Sequence, residues 1–156
     1  MKFKPYPKYK YSRNQWIGEI PEEWNAHKLK FLLSSLQSGK RESDETAPLD
    51  KGAYSLGGEH INWDGTLKLD NIRLLSDEYY NSMNNGKIRK GDVLLVKDGA
   101  TIGKTAIVKE MPYEKMAVNE HVFLMRPNKK VNSKLLYYLI YSDSGFTQIK
   151  LTETGS

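Results

Sequence analysis

At 156 residues, with 24 Lys and Arg, 19 Asp and Glu, no Cys and three Trp, the chain suits one domain with a core of its own. The lack of Cys excludes a disulfide framework, thiolate metal sites, iron–sulfur clusters and cysteine nucleophiles together. The longest apolar run is 135–141, too short to cross a bilayer, and no apolar signal segment follows the basic N-terminus, so a cytoplasmic protein without a membrane partner is expected.

The net charge of +5 divides into +6 over residues 1–41, −6 over 42–85 and +5 over 86–156. This layout permits a polyanion partner, although a solvated Lys-rich surface produces it equally well. Lys2, Lys4, Lys8, Lys10 and Arg13 alternate with Phe3, Tyr6, Tyr9 and Tyr11. Residues 1–15 thus read as a basic arm able to meet phosphates and base or sugar faces, held extended by Pro5 and Pro7. A single domain over 16–156 follows it.

Within that domain, Trp16 and Trp24 bracket a turn-rich entry, 25–30 reads as a short strand and 31–36 is apolar enough for core. Residues 37–52 collect Ser, Gly, Asp, Glu, Thr and Pro48 and read as a long exposed loop. Residues 53–56 resume strand character, and 59–66 close on an Asp-Gly turn signal. A strand over 72–75 precedes Ser76, an N-cap for a helical turn. The β-branched runs 93–96 and 105–108 form a hairpin, and 118–126 reads as one buried strand. Ser133 caps a helix with Leu135, Leu136, Leu139 and Ile140 on one face, stopped by Gly145, and 148–156 begins a further element. Short strands with a few late helices make an α+β domain with a mixed or antiparallel sheet.

Three chemistries deserve weighing. Gly99-Ala-Thr-Ile-Gly103-Lys104-Thr105 approaches a phosphate loop, but its spacer is one residue short, Asp98 sits where the first Gly belongs and a strand follows instead of a helix; it reads as a turn. His27, His60 and His121 lack metal-ligand spacing, leaving Asp92, Lys97 and Glu120 as the makings of a metal-dependent nuclease. Base readout in a major groove takes Arg or Lys for guanine, Asn or Gln for adenine and acids for cytosine. Lys40-Arg41, Glu59-His60-Ile-Asn62-Trp63 and Asn119-Glu120-His121 supply that palette, although Trp63 as core and Asn62 as an Asx-turn are ordinary alternatives.

Several segments together resemble the specificity subunit of type I restriction–modification systems, at its N-terminal target-recognition domain. These are Trp16-Ile-Gly-Glu-Ile-Pro-Glu-Glu-Trp24, then Gly91-Asp-Val-Leu-Leu-Val-Lys-Asp-Gly-Ala-Thr-Ile-Gly-Lys104, the most specific of them, and Asn119-Glu-His-Val-Phe-Leu-Met-Arg-Pro127. Leu135-Leu-Tyr-Tyr-Leu139, Ser144-Gly145 and Thr154-Gly-Ser156 complete a resemblance covering 13–156. It implies a non-catalytic reader of one half of a split double-stranded DNA site, with no cofactor of its own. S-adenosylmethionine, ATP and Mg would reside on the methylation and restriction subunits, its partners. The spacer helices that dock those subunits are not in this sequence, so a half-subunit or a piece of one is expected. Reading positions vary in the family, so readout is assigned on residue chemistry to Lys40, Arg41, Glu59, His60, Asn62, Trp63, Asn119 and His121, with Lys97 and Lys104 as backbone contacts. A nuclease, or a protein-docking module with a basic arm, are the alternatives.

Overall fold

The computed structural model describes residues 4–41 and 51–152; most of the loop expected over 37–52, and the motif residues 154–156, lie outside the described residues. In chain order the elements are β1 (Tyr9–Tyr11), β2 (Glu19–Pro21), β3 (Leu33–Ser38), β4 (Ala53–Leu56), β5 (Arg73–Leu75), α1 (Asp77–Ser82), β6 (Val93–Val96), β7 (Thr105–Ile107), β8 (Met116–Val118), β9 (Val122–Pro127), α2 (Ser133–Tyr141) and α3 (Asp143–Leu151). β1 and β2 pair as an antiparallel ribbon. The main sheet runs β3-β9-β6-β7 and is antiparallel throughout, whereas β5-β4-β8 is mixed, with β4 and β8 parallel. The class is α+β.

The continuous apolar run of β6 explains its place. Val93 and Leu95 point to one side, where they meet Met125 of β9 and Leu136 and Ile140 of α2. Leu94 and Val96 point to the other, where they meet Leu56, Val118, Val122 and Leu124. A strand covered on both faces has no polar alternation to show. α1 closes the far side of the mixed sheet through Tyr79, Tyr80 and Met83, packed on Ala53, Leu75 and Ala117. The order through the molecule is therefore helix, mixed sheet, main sheet, helix.

The hairpin over 93–108, the strands at 53–56 and 72–75 and the capped turn at Ser76 all form; Ser76 Oγ accepts from the Tyr79 N–H at 3.1 Å. Five expectations need correction. Residues 25–30 form no strand and lead into a 3-10 turn at Leu29–Phe31. The run 31–36 is core only in part: Leu32 and Leu33 pack against the α2 side of the main sheet, whereas Phe31 in the 3-10 turn is 57% exposed and Leu36 on the edge strand β3 55%. The single strand expected over 118–126 is two strands in different sheets, broken by a turn at 119–121. The cap of α2 is Asn132, whose Oδ1 accepts from the Leu135 N–H at 2.8 Å, and its buried face is Leu136, Tyr137 and Ile140, leaving Leu135 and Leu139 exposed. Gly145 does not stop that helix. Ser142 ends α2 and caps α3, and Gly145 sits in the first turn of α3, where a Cβ would fall 2.2 Å from the Leu139 carbonyl oxygen.

One buried ion pair pins the base of β6. Asp92 is 1% exposed and takes Nε and Nη2 of Arg126, each at 2.7 Å, and the Arg89 N–H at 2.7 Å. The hydrogen bond to Asp92 raises the Arg126 guanidinium above its ordinary value. Removing one partner strands the other, so Arg126→Met is expected to cost about 3–5 kcal/mol in urea unfolding. The pair Asp92→Leu/Arg126→Met should cost clearly less; equal losses would contradict this assignment.

Candidate nucleic-acid interface

Where β3, β4, β6 and β8 end, four loops converge. Residues 39–41 leave β3, 57–59 leave β4, 97–104 join β6 to β7, and 119–121 join β8 to β9. Backbone hydrogen bonds tie them together. Gly39 N–H donates to the Asn119 carbonyl at 3.2 Å, Asn119 N–H to the Leu56 carbonyl at 2.9 Å, and Lys97 N–H to the His121 carbonyl at 3.0 Å. Gly39 permits the crossing, because a Cβ there would sit 1.5 Å from the Val118 carbonyl oxygen.

The side chains on this end form an ion ladder. Arg41 Nε lies 3.1 Å from Glu120 Oε1, which lies 3.1 Å from His121 Nε2. His121 Nδ1 contacts Asp98 Oδ1, and Asp98 Oδ2 lies 3.4 Å from Lys97 Nζ. Lys97 Nζ stands 5.4 Å from the Phe123 ring centroid. All five side chains of the ladder reach solvent, with exposures from 28% at Lys97 to 50% at Arg41. Lys40 is exposed beside them. Just behind, Arg41, Glu59, Asn119, Ser55, Arg73 and Leu75 line a shallow cleft.

A second group lies across the 97–104 loop. Trp63 is 53% exposed and meets Phe146 of α3 edge-on at 6.1 Å. Lys104 Nζ is 5.8 Å from the Trp63 ring, and Lys150 Nζ 5.9 Å from the Phe146 ring. Gly103, at φ +95°, leaves the room that Phe146 fills. The turn carrying Trp63 is held by Asn62 Nδ2 donating to Thr66 Oγ1 at 3.0 Å and by Asp64 Oδ1, which accepts from Thr66 N–H at 2.9 Å and from its hydroxyl at 2.6 Å. These bonds hold the Asp64 carboxyl below the usual aspartate value.

The structure thus brings Lys40, Arg41, Glu59, Lys97 and His121 to one end, and Asn62, Trp63 and Lys104 to its flank. His60 and Asn119 are corrected from reading to holding roles. His60 is 4% exposed, and its Nδ1 accepts from the Gly57 N–H at 2.9 Å. Glu59 Oε1 lies 3.6 Å from the same nitrogen. Asn119 is 9% exposed, and its Oδ1 accepts from the His121 N–H at 2.9 Å, forming the turn. The Asx-turn expected at Asn62 forms instead at Asp64, whose Oδ1 accepts from the Thr66 N–H, while Asn62 donates to the Thr66 hydroxyl, and Trp63 is not core.

The Gly99–Gly103 segment is a turn: Gly103 N–H donates to the Val96 carbonyl and Val96 N–H to the Lys104 carbonyl, and β7 follows. The nuclease trio is not assembled, since Arg126 and Arg89 occupy both Asp92 oxygens, and Lys97 lies at the other end of β6, about 17 Å along the strand. Among the described residues no three His, Asp or Glu side chains gather as metal ligands, and no helix is long and apolar enough to cross a membrane. Sequence reasoning missed Asp98 and Phe146 as site neighbours. Asp98 was weighed only against a phosphate loop, and Phe146 lies past the glycine read as a helix stop.

No protein-family model matches the chain. The fold is shared by the HsdS subunit from Thermoanaerobacter tengcongensis, with a TM-score of 0.61 and 15% identity over 94% of this chain and 32% of that one. A chain from a structure of a type I restriction–modification system gives a TM-score of 0.58 and 18% identity over 86% of this chain and 30% of that one. The α+β architecture is therefore one that these chains share over about a third of their length. Two curated proteins of Methanocaldococcus jannaschii are similar in sequence. The MjaVIII type I restriction enzyme specificity subunit is 25% identical over 81% of this chain. The MjaX specificity subunit, only provisionally assigned to a type I enzyme, is 28% identical over 85%. The match spans 30% of each. The chain is thus similar in sequence to part of two type I restriction enzyme specificity subunits.

Because Asp64 titrates below its unfolded value of 3.8, its hold on the turn is complete above that value and is lost as pH falls through the lowered folded value. Thr66→Ala is expected to raise the Asp64 pKa toward 3.8, read by NMR titration of the carboxyl, and to bring the acid change in Trp63 fluorescence to higher pH. An unmoved titration would contradict the hydrogen-bonded turn.

Proposed function

We propose that this domain reads base sequence in double-stranded DNA, recognising one half of a bipartite site for a type I restriction–modification complex. The reading is carried by the agreement between the two curated specificity subunits and the shared HsdS fold over 94% of the chain. The convergence of Lys40, Arg41, Glu59, Lys97 and His121 on one end supports it, since that set holds donors for guanine and phosphate and an acceptor for cytosine. Asn62 and Trp63 present an amide and an aromatic edge on the flank, and Lys104 beside them suits a phosphate. In this reading the domain is not catalytic and holds no cofactor. Adenine methylation with S-adenosylmethionine, and ATP- and Mg-dependent cleavage, belong to the methylation and restriction subunits that assemble with it in the cytoplasm.

The single-domain boundary at 16 and the basic arm before it belong to the same reading. The arm, described from Lys4 onward, leads through a bend at Pro7 into β1, where Tyr9 and Tyr11 stay exposed beside Lys8 and Lys10.

Methylome mapping in the source strain with the gene present and deleted tests the proposal: one bipartite adenine-methylated motif should vanish with the gene. An unchanged methylome would contradict it. In the intact subunit, exchanging residues 37–66 for those of another family member should alter one half of that motif and leave the other. In binding assays Asn62→Ala should weaken cognate DNA by about 1–3 kcal/mol and spare other sequences, whereas Lys104→Ala should weaken all duplexes alike and lower the salt slope by about 1.

A further inference from the structure

We infer that Glu120 is a specificity residue that acts by repulsion: it holds Arg41 away from indiscriminate phosphate contact and releases it only to a matching site. This inference rests on the DNA-reading proposal above and names a device within that surface.

A surface that would bind a polyanion through Lys40, Arg41 and Lys97 carries two carboxylates, Asp98 and Glu120, interleaved with Arg41, Lys97 and His121. Non-specific affinity for DNA comes almost entirely from cations meeting phosphates, so each carboxylate subtracts from it. Stability does not account for Glu120. Ion pairs this exposed contribute little, and among the described residues Glu120 Oε2 is buried without a hydrogen-bond partner, a cost that an acid retained for folding would not carry. Its Oε1, by contrast, faces both Arg41 and His121.

The backbone fixes the carboxylate where it stands. Ser38 Oγ donates to the Glu120 carbonyl at 3.1 Å, and the 119–121 turn is closed by Asn119 Oδ1 on the His121 N–H. Arg41, on the far side, leaves β3 through Gly39 and is half exposed. One partner is therefore fixed and the other is a long side chain able to swing away. In random sequence, a lone phosphate must replace the Glu120 contact while the phosphate approaches a carboxylate, and like charges in register are penalised. At a matching site, a bidentate base contact to the Arg41 guanidinium repays the exchange. Discrimination then comes from weakening the wrong complex rather than strengthening the right one.

The test uses the intact subunit, a labelled 30-bp duplex of scrambled sequence, and a second duplex bearing the motif found by methylome mapping, with Kd measured across a salt series. Glu120→Gln keeps the shape and removes the charge. It should tighten the scrambled duplex about threefold to tenfold at low salt, steepen its salt slope by about 1 as Arg41 gains a phosphate, and tighten the motif duplex less, lowering the specificity ratio. Adding Arg41→Gln should return the scrambled duplex to the wild-type value or weaker. Thermal melting checks that both variants fold. An unchanged scrambled-duplex affinity in Glu120→Gln, or a gain that survives Arg41→Gln, overturns the inference while DNA reading stands. Failure of the wild-type subunit to bind either duplex at low salt overturns both.

Discussion

The structure depends on one constraint: the antiparallel pair β6 and β9 is buried on both faces by different layers. Leu94, Val96, Val122 and Leu124 are covered by the mixed sheet, and Val93, Leu95 and Met125 by α2. Burial of that kind fixes register, since a one-residue slip would exchange the two faces of a strand. The Asp92–Arg126 pair reinforces the register at one end, where Val93 stands opposite Met125. At the other, Val96 stands opposite Val122, and the chain emerges from both strands at a defined height. The loops bearing Lys97, Asp98, Glu120 and His121 start from there.

A double layer with irregular loops at one end suits the proposed recognition. The polar side chains of those loops stand on a solvent-facing rim and pair with each other. Asp92, the acid with the most enclosed position, is fully engaged by Arg126 and the Arg89 N–H. Long groups such as Arg41 and Lys97 on short, well-tied turns combine reach with a fixed origin, which a reader of groove edges requires. The surface is amphoteric rather than uniformly basic, in keeping with selectivity set by opposed charges.

How much of this was legible in the sequence depended on whether a signal was local. β6 and β7 were plain, because two β-branched runs around a Gly-rich turn have few other solutions. So was the α1 cap, where Ser76 precedes its helix directly. Signals that depend on partners failed. The polar triplet Asn119-Glu120-His121 marks a break inside 118–126, but only the partner strands show that Val118 completes one sheet while Val122 opens another. Phe31 and Leu36 look like core residues, yet Phe31 is exposed in a 3-10 turn and Leu36 on an edge strand. Gly145 reads as a stop because glycine is the commonest helix terminator, whereas its true role is the close approach to Leu139. At the candidate site, residue chemistry found most of the rim but not the division of labour. His60 and Asn119 are buried by contacts with Gly57 and His121, and only the three-dimensional arrangement sets Glu120 between Arg41 and His121.

The central claim is that the loop end of the main sheet faces a DNA duplex. Hydrogen–deuterium exchange of the intact subunit, with and without its methylome-mapped site, tests it most directly. The account predicts added protection confined to residues 39–41, 57–66, 97–104 and 119–121, with α1 unchanged. Protection centred on α1 and β5, or none at saturating DNA, would contradict it.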